Sequence, residues 1–133
     1  MAITLTTGAR NAACNGIVDL VDVGSGAEGD FQFLDGATPI VVINCQAKGS
    51  GAFGNAAVGV AALAATPRTG TASANSSAPG VDVFNVRDAD DATVFSGVAS
   101  GPGGGGDIEF DNAVVLQDQV VNLTSFSLTV PAS

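Results

Sequence analysis

The sequence predicts a mainly β protein, an antiparallel β-sandwich or jelly-roll-like barrel with one N-terminal α-helix. Helical periodicity, with apolar residues three and four apart, occurs clearly only between Ala9 and Val21. Beyond residue 30 the apolar segments are short, largely alternating, and rich in Val, Ile and Phe. Turn pairs and glycine clusters separate them at intervals that fit about seven short strands.

Residues 1–5 read as an extended arm, with Ile3 and Leu5 pointing one way. Thr6 or Thr7 can accept from a backbone N–H two or three residues on, which opens a helix over residues 7–22. Ala9, Ala13, Ile17, Leu20 and Val21 form its expected apolar stripe, and Asn11, Asn15, Asp19 and Asp22 are expected chiefly toward water. Gly24-Ser25-Gly26 ends it.

The β region spans residues 30–131, and the 133 residues suit one domain. Phe31–Leu34 and Ile40–Cys45 flank Asp35-Gly36 as a hairpin, and the second run, apolar on both faces, is expected between two layers. Residues 56–65 are alanine-rich, but Gly59 between two valines and Pro67 just beyond favour strand. Residues 69–80 read as a linker-like loop or weak edge strand. Val81–Arg87 and Thr93–Ala99 form a second hairpin across the acidic turn 88–92, expected to pair Val86 with Val94. The glycines of 101–106 predict a mobile surface loop, after which Ile108–Phe110 and Val114–Leu116 resume short strands. The last strand, Val120–Val130, changes parity: Val121 and Leu123 share one face, Phe126, Leu128 and Val130 the other. A bulge or a passage between two sheets is therefore expected near Thr124.

Apolar residues make up 46% of the chain, too many for disorder, and no run approaches the roughly 18 needed to span a membrane. The opening residues lack a basic stretch and apolar block, so no secretory signal is expected and the product should stay where it is made. Four cations face thirteen carboxylates, a formal charge of -9, which removes the counterion release that drives phosphate-backbone binding. Neither nucleic acid nor membrane is an expected partner. With 18 glycines, 7 phenylalanines and no Trp or Tyr, the core is expected to be thin and to gain from burial in a symmetric oligomer or larger assembly.

The absence of histidine removes the usual general base, the usual zinc ligand and imidazole-dependent triads, so no catalytic site and no cofactor are expected. Cys14 and Cys45 read as reduced core thiols. Asp88, Asp90 and Asp91 alternate as calcium ligands do, but the twelve-residue loop with its central Gly and terminal Glu is missing, and a solvated hairpin tip is the favoured reading. Asp107, Glu109 and Asp111 share one strand face, most simply the wet one. The glycine loop is no phosphate cradle, because no Lys-Ser or Lys-Thr follows it.

The opening Ile3-Thr4-Leu5-Thr6-Thr7-Gly8-Ala9-Arg10-Asn11-Ala12-Ala13, running into Ile17-Val18-Asp19-Leu20-Val21-Asp22, resembles the start of a family of small virion proteins encoded by tailed phages among their head genes. Phe31–Gly36, Ala52–Gly54, Phe84–Asp90, Thr93–Gly97 and Val121–Pro131 are similar to that family's recurring blocks, whereas 37–50 and 70–80 depart from them. The resemblance implies a structural role: a capsid decoration (cement) protein on the capsid exterior, made in the host cytoplasm, forming a homotrimer and binding the major capsid protein. The expected contact segments are the arm, Ala2, Ile3, Thr4 and Leu5, and the glycine loop at Pro102, Gly103 and Gly104. Alternatives are a tail, collar or head-fibre protein and, from another class, a calcium-dependent carbohydrate-binding module using Asp88, Asp90 and Asp91.

Overall fold

The computed structural model describes residues 2–132; Met1 of the expected arm and Ser133 lie outside the described residues. Thr6 caps the helix α1 (Thr7–Val18), its hydroxyl accepting from the Ala9 N–H at 3.2 Å. The chain then tightens into a 3₁₀ turn over Asp19–Asp22, so the span 7–22 is helical throughout but wound in two ways.

The inward face of this segment is not the expected one. Cys14, Val18 and Val21 are buried, while Ala9, Ala13 and Leu20 are exposed. Asn11 and Asn15 turn inward instead, accepting from the Gly59 and Ala56 N–H groups, both at 2.7 Å, and Asp22 accepts from Ala52 N–H at 3.0 Å. The irregular stretch 52–59 presents amides that no strand satisfies, and an orphaned, part-buried donor costs more than exposing an alanine.

Five strands form the main sheet: β1 (Asp30–Asp35), β2 (Thr38–Asn44), β5 (Val83–Arg87), β6 (Thr93–Ser100) and β7 (Ile108–Glu109), in the order β2-β1-β5-β6-β7. All neighbours are antiparallel except β7, which joins β6 in parallel. The first hairpin turns at Gly36, whose φ of +61° suits glycine. Val41, Ile43 and Cys45 are buried but Val42 and Asn44 are exposed, so beyond Ile40 this strand buries one face, not two. In the second hairpin Val86 lies opposite Phe95 rather than Val94, because Arg87 pairs with Thr93 and leaves Val94 as the extra residue of a bulge.

Two further ladders complete the fold, β3 (Val60–Ala62) with β9 (Ser127–Thr129), and β4 (Arg68–Thr71) with β8 (Val120–Leu123). The final segment passes from one to the other between Leu123 and Ser127, as its change of parity predicts. Strand β4 also covers the free edge of β2. Arg68 donates to the Asn44 and Cys45 carbonyls at 2.9 and 3.0 Å, Ser73 N–H, just beyond β4, donates to the Ile40 carbonyl at 2.8 Å, and a Cβ at Gly70 would run into the Val42 oxygen. The separate β4–β8 pair thus packs along the edge of the main sheet, and together they curl into a barrel-like body. Of the expected strand 56–65 only Val60–Ala62 pairs regularly, since Val58 and Gly59 turn with positive φ. Residues 114–116 form no strand. The Ser76 hydroxyl takes the Val115 N–H at 2.8 Å, and Ser76 N–H returns to the Val115 carbonyl at 2.8 Å, a local exchange that replaces a ladder.

All seven phenylalanines join one aromatic network, with centroids 5.1 to 6.4 Å apart. Phe126, in the passage between β8 and β9, lies edge-on to Phe31 at 5.1 Å and to Phe84 at 5.8 Å, and stacks on Phe95 at 6.2 Å. Phe31, Phe33 and Phe84 are buried at the centre of this network, and the other four rings are half-buried around them. A smaller cluster of Cys14, Val18 and Ala61 fixes α1 to β3 and β9. At the sheet's end Arg87 grips both oxygens of buried Asp30 at 2.7 Å, a bidentate pair that satisfies the carboxylate.

Candidate contact surface

The arm residues Ala2–Leu5 are exposed, Ile3 at 72%, and the Leu5 N–H donates to the Ala132 carbonyl at 2.7 Å. The arm thus leaves the body beside the other end of the described chain. Pro102, Gly103 and Gly104 are also exposed, but their loop is held. Glu109 accepts from the Gly103 and Gly105 N–H groups at 3.1 and 3.3 Å, and the Ser100 hydroxyl accepts from Gly106 at 3.0 Å. The loop lacks regular structure, as expected, yet a carboxylate organises its free amides. No hydrogen bond among the described residues joins the arm to this loop.

The acidic hairpin tip distributes its three carboxylates. Asp88 accepts from the Asp90 and Ala92 N–H groups, both at 2.9 Å, and so shapes its own turn. Asp90 accepts from the Ser25 hydroxyl and N–H at 2.7 and 2.8 Å, which holds its carboxyl below the ordinary range. Asp91 faces Arg87 at 3.5 Å. Among the described residues no three such groups converge as metal ligands would. The tip's structural work is to tie the loop after the helix to the main sheet.

Carboxylates elsewhere do the same. Asp35 accepts from the Ser77 hydroxyl and N–H, both at 2.7 Å, and is likewise held below its usual range. Burial pushes the Cys45 thiol up to about 12, with the nearby Asp30 charge adding to the effect. That thiol is an inert core group rather than a nucleophile.

One concavity of the surface was not legible in the sequence. A groove of about 640 Å³ separates β7 and the chain after it, 107–112, from β8 and its continuation, 119–127. A second of about 340 Å³ separates Phe95–Gly97 of β6 from β9. The two share Asp107, Phe126 and Ser127, so they form one seam where the curled sheet fails to close. Phe33, Ile43 and Phe126 line it below, and Asp107, Glu109 and Asp111 stand along one bank. The carboxylates read as a simple wet strand face therefore border the barrel's opening. Their positions were visible in the sequence, but the strand opposite them depends on contacts far apart along the chain.

No protein family, no curated protein and no solved structure matches the chain.

Proposed function

We propose that the chain is a capsid decoration (cement) protein of a tailed bacteriophage, seated on the outer lattice as a homotrimer and stapling neighbouring major capsid subunits against internal DNA pressure. The observation that carries this reading is the resemblance of its sequence blocks to phage head-gene products. Those blocks fall on the framework of the fold: the arm and α1, β1 and its turn, β5 and the hairpin tip, β6, and the run from β8 through β9. The departing segments 37–50 and 70–80 hold β2 and the loop after β4.

Two physical features support a binding role without chemistry. The aliphatic side chains Ile3, Val58, Leu116 and Val120 are each at least 60% exposed, and a repeating partner surface would cover them through many individually weak contacts. The formal charge of -9 keeps such a surface soluble before assembly. Neither cofactor nor nucleic acid is required.

Heating purified particles with and without the chain tests the reading. Particles lacking it are expected to release DNA at a lower temperature, with recovery on adding back the purified protein. Unchanged release after complete removal defeats the cement role.

A further inference from the structure

We infer that the seam between β6–β7 and β8–β9 is a strand-acceptor slot, and that its occupant is an extended basic segment of another protein, alternating Lys or Arg with apolar residues. Ala72 N–H donates to the Gln119 carbonyl at 2.9 Å, which sets the alternation of the β4–β8 ladder. Gln119, Val121 and Leu123 turn their backbone groups to β4, so Val120 and Asn122 turn theirs into the seam. Among the described residues no strand pairs with that side of β8. On the opposite bank Asp107 closes Val98 twice, its carboxylate accepting from Val98 N–H at 2.9 Å and its own N–H donating to the Val98 carbonyl at 2.8 Å. Ser96, two residues earlier, turns its backbone the same way, and among the described residues no strand reaches that side of it.

Exposed edges are normally paired or blunted, and β8 carries no proline, lysine or bulge. A strand laid along it would place every second side chain over the half-buried Phe110, Val121 and Phe126, as β-augmentation requires. Charge selects the occupant. Among the described residues the seam's acidic bank finds no cation: Arg10 donates to the Val130 carbonyl, Lys48 to Gly24, Arg68 to Asn44 and Cys45, and Arg87 pairs with Asp30. A second copy brings the same -9 and the same committed cations, so it is repelled, whereas a basic segment is steered in.

The slot goes beyond the capsid reading and stands without it. Absence of the chain from virions would remove the capsid role and leave the slot intact. The test is residue-resolved hydrogen exchange of the full chain with the peptide (Lys-Val)4 at up to millimolar concentration, beside (Glu-Val)4 and a (Lys-Val)4 N-methylated at alternate residues. Expected is slowed exchange at Ser96, Val120 and Asn122 with the basic peptide alone, and loss of binding on N-methylation, which leaves the protein untouched. Combining Glu109→Gln with Asp111→Asn should weaken binding about fivefold, each such ion pair being worth a factor of about 1.5 to 5. No slowed exchange in the seam, an equal effect from the acidic peptide, or indifference to N-methylation overturns the inference. Protection that grows with protein concentration alone also overturns it, by assigning the slot to a second copy.

Discussion

The side-chain oxygen of Asn15 accepts the backbone N–H of Ala56 at 2.7 Å, placing an amide where helical periodicity expects water. Asn15→Leu should therefore lower stability by about 1 kcal/mol, although it adds apolar surface to the helix, because it strands the Ala56 donor. Urea denaturation measures this. A more stable Asn15→Leu protein contradicts the assignment of the helix face.

Gly97 lies opposite Phe84, and a Cβ there would stand 2.5 Å from the ring. Gly97→Ala is expected to cost about 1 to 3 kcal/mol through overpacking of the aromatic network. The penalty should shrink when Phe84→Leu is already present, since the two positions share one volume and are non-additive. Equal penalties in both backgrounds would separate Gly97 from the core.

The Cys45 thiol, raised by burial to about 12, gives a pH dependence of definite sign. The unfolded thiol ionises near about 8.5 and the folded one does not, so the contribution is complete below about pH 8.5 and is lost as pH rises toward 12. Stability should fall by about 1 to 2 kcal/mol between about pH 8.5 and 10, and Cys45→Ala should flatten that fall. A thiol-reactive dye should label Cys45 only on unfolding.

Asp35 and Asp90 work in the opposite direction. Serine hydroxyls and amides hold both carboxyls below their usual range, so their contribution is present above about pH 4 and lost as pH falls through the lowered folded-state values. Thermal unfolding from about pH 5 down to about pH 2 should show a smaller loss in the Asp35→Asn, Asp90→Asn double variant than in the natural chain.

These positions also show what the sequence discloses. Asp35-Gly36 announces the first hairpin because turn chemistry is local, and the parity change between Leu123 and Phe126 announces the passage from β8 to β9 because strand faces follow from order alone. The inward turn of Asn11 and Asn15 was hidden, since it answers amides 48 and 41 residues away. The bulge at Val94 and the parallel attachment of β7 were hidden for another reason, since alternation along a strand fixes neither its register nor its direction. At the candidate surface the exposed arm and glycine loop were legible from composition, but the acidic bank of the seam became meaningful only once β8 was placed opposite it.

The copy number of the chain in purified virions, measured against the major capsid protein, tests the proposed function most directly. A cement protein on a symmetric lattice should be present in on the order of hundreds of copies per particle, in fixed ratio to capsid subunits. A handful of copies would assign it to tail, collar or fibre, and its absence from finished particles would contradict the account.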